Sequence, residues 1–159
     1  MACKPTGTPM HEPRIALFRL CAGDLCLGSA IIPTVYDELP EFRAGGTLIQ
    51  VSKRMVDATE QLDRHEILAV LDGVLIGFAC LVEEDDMHVG RCLTLQWQYV
   101  VPEHRDRIGG QFLRWLAKAG RDMGFQFIAY SHRISSRHYA IKYRSVHHGQ
   151  EGQETRFKV

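Results

Sequence analysis

Gln96-Trp97-Gln98-Tyr99-Val100-Val101-Pro102-Glu103-His104-Arg105-Asp106-Arg107-Ile108-Gly109-Gly110-Gln111-Phe112-Leu113 is the stretch on which the reading of this chain turns. It reads as a strand that ends at Pro102, then a short basic loop closing on Gly109 and Gly110, then an amphipathic helix. Such a layout aims backbone N–H groups and a helix N-terminus at one spot, beside Arg105 and Arg107. Unsatisfied amides, the helix dipole and two cations all favour negative charge there, so a phosphate fits. A glycine-containing turn from strand to helix is also an ordinary connection in an α/β domain. The flanking sequence therefore has to carry the choice.

Residues 66–71 (Glu-Ile-Leu-Ala-Val-Leu) form a short apolar run, followed by Asp72-Gly73 and a second run over 74–82. Asp-Gly between two apolar runs predicts a hairpin, because the tight turn needs positive φ. Leu93, Leu95, Trp97, Tyr99 and Val101 alternate with Thr94, Gln96 and Gln98, the period of a strand with one apolar face. Ile108, Phe112, Leu116, Ala119 and Met123 recur at helical spacing, and Gly124 stands where a helix-closing glycine is expected. Residues 125–130 (Phe-Gln-Phe-Ile-Ala-Tyr) predict the next strand.

The segment resembles the acetyl-CoA-binding motif of the GCN5-related N-acetyltransferase (GNAT) family. There, a strand carrying Val-x-Pro leads into Arg/Gln-x-x-Gly-x-Gly/Ala and a helix. Val100-Val101-Pro102 supplies the strand end, Arg105 the first motif position and Gly110 the last. Ile108 stands in place of the family's first glycine, with Gly109 between. A glycine there lets backbone approach the pyrophosphate without a Cβ, so Ile108 implies either a looser contact or a loop that pivots on Gly109. Strand, hairpin, strand, helix, strand is also the order of the GNAT core, and the resemblance extends over residues 66–146. It implies a single α/β domain with a mixed, mostly antiparallel central sheet flanked by helices.

The resemblance implies transfer of an acetyl group from acetyl-CoA to an amine. In the family the strand before the loop splays from its neighbour at a bulge, and its free N–H groups bind pantetheine and the acetyl oxygen. Val100 occupies the position that supplies such an N–H, with Tyr99 and Val101 beside it as core side chains. The implied cofactor site is Tyr99, Val100, Val101, Arg105, Asp106, Arg107, Ile108, Gly109 and Gly110. After the next strand the family places a helix whose tyrosine hydroxyl lies near the cofactor sulfur, in a loose Asn-x-x-Ala-x-x-x-Tyr pattern followed by Gly-Phe. Residues 136–143 (Ser-Arg-His-Tyr-Ala-Ile-Lys-Tyr) set Tyr143 at that distance, with Ser136 for the asparagine, alanine displaced to Ala140, and no Gly-Phe pair. Tyr143 is thus the candidate general acid, and Tyr139, one helical turn earlier, its competitor. No general base is evident: Thr94 stands where some members carry a glutamate. Gln96 and Gln98 can orient a water or an amine but cannot take its proton. Glu66, Glu83 and His88 could reach the site, and a water chain would also serve.

Composition agrees with one compact domain. The chain has 159 residues, 45% hydrophobic, with 19 basic residues against 19 acidic, which leaves no net charge to drive global binding to nucleic acid. Arg133, Arg137, Lys142 and Arg144 cluster locally and suit a cofactor phosphate, an acidic substrate or simply a solvated face. Five cysteines without a Cys-x-x-Cys pair argue against a disulfide framework and for a reducing, cytoplasmic setting. No apolar run is long enough to cross a bilayer. Eight histidines lack metal-ligand spacing, so no metal is expected; His132 is read as lying just past a strand end, where it could line the site. Residues 1–13 read as a flexible leader and 14–159 as the domain. Within the first half, residues 14–20 predict a strand, 31–42 one or two short helices broken by Pro33 and Pro40, 48–51 a strand or loop, and 55–62 a helix. In the family this region walls the acceptor site, so the acceptor is an unidentified amine of a small molecule or protein. A homodimer is left open. The alternatives are a degenerate domain of the same family that binds acyl-CoA or a protein partner without catalysis, and an unrelated phosphate-binding α/β module.

Overall fold

A computed structural model describes residues 12–136 and 138–147. Its elements are β1 (Arg14–Leu20), a 3-10 turn (Ser29–Ile31), α1 (Ile32–Glu38), α2 (Pro40–Ala44), α3 (Leu48–Glu60), β2 (Arg64–Leu71), β3 (Val74–Asp86) and β4 (Gly90–Val100). A second 3-10 turn (Pro102–His104), α4 (Arg105–Asp122), β5 (Phe127–Ser135) and β6 (His138–Ser145) follow. The six strands lie in one sheet in chain order. Every pairing is antiparallel except β4 with β5, which α4 connects in parallel. Among the described residues no helix is long and apolar enough to cross a membrane.

Local chemistry accounts for most of these elements. Asp72 and Gly73 both take positive φ (51° and 81°), which the two-residue β2–β3 turn requires. Gly124, at φ 78°, closes α4 and donates its N–H to Arg121 O at 2.9 Å. Residues 48–51 are neither strand nor loop. They open α3, a single helix that also absorbs the one expected from Met55 onward. Thr47 and Gln50 form a reciprocal capping box there, a Thr-x-x-Gln start signal. Pro33 and Pro40 sit in the first turns of α1 and α2, where a missing N–H costs nothing, so they start helices rather than break them.

Each face of the sheet has its own core. Ile67, Leu81, Leu93, Leu95 and Ile128 pack with Ile108, Phe112 and Leu116 of α4. On the other face Phe78, Cys80 and Tyr99 pack with Ile31 and Val35, flanked by Leu39, Phe42, Val56 and Trp97 from α1–α3 and β4. Leu93, Leu95, Trp97 and Tyr99 therefore do not share one face. Cys80 pairs with Trp97 and Leu81 with Leu95, leaving Gln96 as an extra residue that shifts the alternation by one. Beside the second core, the loop between β1 and the first 3-10 turn is tied down from below. Fully buried Arg64 bonds Glu66 (2.6 Å) and the carbonyls of Asp24 and Leu25, while Glu66 accepts from Leu27 N–H. A buried ion pair is tolerable only when its remaining polar atoms are satisfied in this way.

The largest departure from expectation is at the end of the fold. Residues 138–145 form a strand antiparallel to β5, not the helix implied over 136–143. Tyr139, Ile141 and Tyr143 alternate along it at period 2, a strand signal.

Candidate functional site

The parallel ladder between β4 and β5 consists only of Leu93↔Ile128, Thr94↔Ala129 and Leu95↔Tyr130. Beyond it β4 continues along β3 while β5 continues along β6, so the two central strands part. The bulge at Gln96 falls at the point of parting. Val101 donates its N–H to Ile76 O of β3 at 2.9 Å. Strand alternation then turns the N–H and C=O of Val100 toward the opening. In agreement, the Val100 carbonyl accepts from Arg105 Nε at 3.0 Å.

The N-terminus of α4 arrives at the same end of β4. No side chain caps it: His104, at the N-cap, makes no such bond. The 3-10 turn takes the His104 and Arg105 amides onto the Val101 and Pro102 carbonyls, so it is the positive end of the helix dipole, with the amides after Arg105, that stands beside the opening. Gly109 and Gly110 do not form the turn. They lie within α4 without positive φ, and a Cβ at either would meet nothing within 4 Å. The 3-10 turn after β4 makes the bend, so the loop does not pivot on Gly109. Ile108 is fully buried and points into the core, where its Cδ1 would lie 3.3 Å from a Cβ placed on Gly77. Its side chain is directed away from the amides.

The corner between α1 and α2 spans both arms of the opening, which the sequence did not suggest. Glu38 accepts from Arg105 Nη2 at 2.6 Å and from the Tyr99 hydroxyl. Glu41 accepts from Arg133 Nε at 2.8 Å and from the Tyr139 hydroxyl at 3.0 Å. The Arg105 hydrogen bond lowers the Glu38 pKa, and that of Arg133 brings Glu41 down to about 2. Burial and then the Glu38 carboxylate push the Tyr99 phenol up. Glu38 and Glu41 were missed because their partners are 67 and 92 residues away in the chain.

Tyr143 lies on β6 in the row Thr94–Ala129–Tyr143, just where β4 and β5 still pair. Its hydroxyl donates to Asp86 Oδ2 at 3.0 Å, and its ring stacks on His88. Burial and the Asp86 bond raise its pKa, so the phenol stays protonated. Tyr139 pairs opposite Arg133, further along the open arm. Among the proposed bases, Glu66 is buried under the Leu27 loop, Glu83 bonds Arg91 at 3.0 Å, and His88 sits in the β3–β4 turn. Gln96 and Gln98 are separated by the bulge; Gln96 donates to Glu84 Oε1 at 3.0 Å, whereas Gln98 pairs with Ala79. His132 lies within β5 opposite Ala140 rather than past its end. Arg137 is outside the described residues, and Arg133 is engaged by Glu41. Among the described residues no group of histidine, cysteine and carboxylate side chains could hold a metal. Burial pushes the thiols of Cys26 and Cys80 up to about 11 and about 12, leaving them unreactive packing groups.

Among the described residues, a six-stranded sheet thus opens between a bulged fourth strand and a parallel fifth, with a helix N-terminus at the opening. Residues 33–144 match the model of the acetyltransferase (GNAT) family, and the chain belongs to that family. No curated protein matches it. Among solved structures it resembles a ribosomal-protein-alanine N-acetyltransferase from Brucella melitensis biovar Abortus 2308, at 17% identity and a TM-score of 0.52, over 77% of this chain and 82% of that one. It also resembles an acyl-CoA N-acyltransferase from Pseudomonas aeruginosa (15%, TM-score 0.54, 77% and 79%). An aminoglycoside 6'-N-acetyltransferase complexed with coenzyme A gives 18% and 0.52 over 73% and 61%.

Proposed function

We propose that this protein is an N-acetyltransferase that moves an acetyl group from acetyl-CoA to an amine of a small molecule or protein. The observation that carries the reading is the coincidence, at one end of β4, of the parted strands, the outward-facing Val100 and the uncapped N-terminus of α4. The amides of α4 after Arg105, with Arg107 and with Arg105 once it leaves Glu38, take the pyrophosphate. Asp106, Gly109 and Gly110 border it, and Ile108 anchors the helix from below. Tyr99, Val100 and Val101 flank the pantetheine, Val100 through its backbone N–H. Tyr143 returns a proton to the departing thiolate, after its hydroxyl leaves Asp86.

A second reading is favoured by one observation. Only residues 136 and 137 separate β5 from β6, too few for the tyrosine-bearing helix of the family. On that reading the domain binds acyl-CoA or a protein partner without catalysis. Calorimetry with acetyl-CoA, followed by release of CoA thiol over a panel of amines, tests both. Binding should raise the melting temperature by mass action. Arg107→Glu should weaken binding more than Arg114→Glu, two turns further along α4. Equal effects, or no binding at millimolar acetyl-CoA, would remove the site; binding without turnover on any amine would favour the second reading. Aminoglycosides and alanine-bearing ribosomal proteins belong in the panel, after the names of the structural relatives.

A further inference from the structure

We propose that Glu84 takes the proton from the acceptor amine, an assignment that rests on the acetyltransferase reading. An alkyl amine is an ammonium ion at neutral pH and cannot attack a thioester until a base removes a proton. Thr94, at the position that resemblance points to, has no such capacity. Glu84 reaches that place from the neighbouring strand.

Three observations put it there. Phe78 and Cys80 of β3 belong to the core under α1–α3, and alternation carries that face through Val82, opposite Thr94, to Glu84, opposite Cys92. Gln96, the bulge residue where β4 leaves β5, donates from Nε2 to Glu84 Oε1 at 3.0 Å. The two side chains thus close over the Val82–Thr94 pair and hold the carboxylate beside the branch point. Glu84 is exposed, and among the described residues Gln96 is its one hydrogen-bond partner, on Oε1, which leaves Oε2 without a side-chain partner. The other acids of the strand lack this placement. Glu83 lies on the α4 face with Arg91, and Asp86 is held by Tyr143 and two backbone amides. Tyr143 shares the face of Glu84 and stands two strands from Val82's partner Thr94 in the same row. Base and acid therefore flank one patch of sheet.

The steps balance. The ammonium gives one proton to Glu84, and the freed nitrogen pair attacks the thioester carbon. As the C–N bond forms, the C–S bond breaks and its electron pair leaves with sulfur. The thiolate takes a proton from Tyr143, which is restored by the proton that nitrogen loses, and Glu84 returns its own proton to water.

The test is Glu84→Gln, which keeps the side-chain length and a partner for Gln96, with Glu83→Gln as the control of equal charge change on the opposite face. Acetyl-CoA affinity by calorimetry, melting temperature, and kcat and KM for the best amine of the panel are measured from about pH 6 to about pH 10, where a free amine appears unaided. Glu84→Gln should lower kcat by about 10²–10⁴ near neutral pH, with affinity and melting temperature unchanged and the deficit shrinking as pH rises. Glu83→Gln should stay within about twofold of wild type, as expected for a surface change away from the chemistry. Wild-type kcat in Glu84→Gln, a deficit in KM alone, or a deficit that does not change with pH would overturn the assignment while leaving the acetyltransferase reading intact. A wild-type protein that binds no acetyl-CoA, or acetylates no amine, overturns that reading and Glu84 with it.

Discussion

Ile108 and Tyr143 each carry a question that one substitution answers. Ile108 occupies the motif position of a glycine, yet its side chain is fully buried against the core rather than beside the amides. Ile108→Gly would empty that space and place a flexible residue in the first turn of α4. It should cost about 3–5 kcal/mol in urea unfolding, from the cavity and the helix penalty together, with no gain in acetyl-CoA affinity. Tighter binding would mean that the isoleucine does obstruct the cofactor. Tyr143→Phe removes one hydroxyl and little volume. Its bond to Asp86 is partly exposed, so stability and acetyl-CoA affinity should change little. Turnover should fall by roughly ten- to a thousandfold if the hydroxyl protonates the thiolate. Tyr139→Phe should do much less to turnover, because its hydroxyl is engaged by Glu41 on the far arm. Full activity in Tyr143→Phe would take that residue out of the mechanism.

Glycine substitutions separate elements that tolerate a Cβ from those that do not. At Gly109 a Cβ meets nothing within 4 Å, so Gly109→Ala inside α4 should stabilise the fold by about 0.5–1 kcal/mol. At Gly28 the same atom would fall 2.0 Å from Cδ2 of Phe78, a ring fully buried and packed on Trp97 at 4.3 Å. Gly28→Ala should therefore destabilise by about 1–3 kcal/mol or more by overpacking, and thermal melts of both variants would show opposite signs. The same division between local and distant causes explains how much of the fold was legible. The β2–β3 hairpin, the face and end of α4, and β1 follow from signals within a few residues, such as Asp72-Gly73 and Gly124. The Gln96 bulge depends on the register chosen with β3, so the apolar alternation across residues 93–101 could not reveal that it switches faces. α3 was divided because residues 55–62, read by themselves, show little amphipathicity, although the whole helix is amphipathic and Thr47 and Gln50 marked its start. β6 was read as a helix because Tyr143 stood at a family spacing, against a local period of 2 that pointed to a strand.

Across the whole molecule the α1–α2 corner is where separate arms of the sheet meet. Glu38 ties it to Tyr99 and Arg105 at the end of β4 and the start of α4, and Glu41 ties it to Arg133 and Tyr139 on β5 and β6. None of these ties was readable from sequence, since each pair joins distant segments; Tyr99, Arg105, Arg133 and Tyr139 were singled out for the cofactor, a phosphate or the proton donor, and Glu38 and Glu41 not at all. The geometry makes the corner sensitive to acid. Glu41 falls from an ordinary 4.5 to about 2, and Glu38 is lowered as well, in both cases chiefly through an arginine hydrogen bond. A carboxylate whose folded pKa is depressed contributes stability that is complete above its unfolded value and disappears as pH falls through the folded one. The corner should thus hold at neutral pH and weaken progressively below about pH 4.5, toward about pH 2. Both pairs are partly exposed, so each is worth little alone and salt should weaken it. The double variant Glu38→Gln, Glu41→Gln should melt slightly below wild type at neutral pH and lose less on acidification, the two melting curves converging toward about pH 2. Hydrogen exchange at Leu39 and Phe42 should quicken in the variant at neutral pH and in wild type only in acid. Parallel pH dependences for the two proteins, with exchange at the corner unaltered, would show that these carboxylates do not fasten it across the opening.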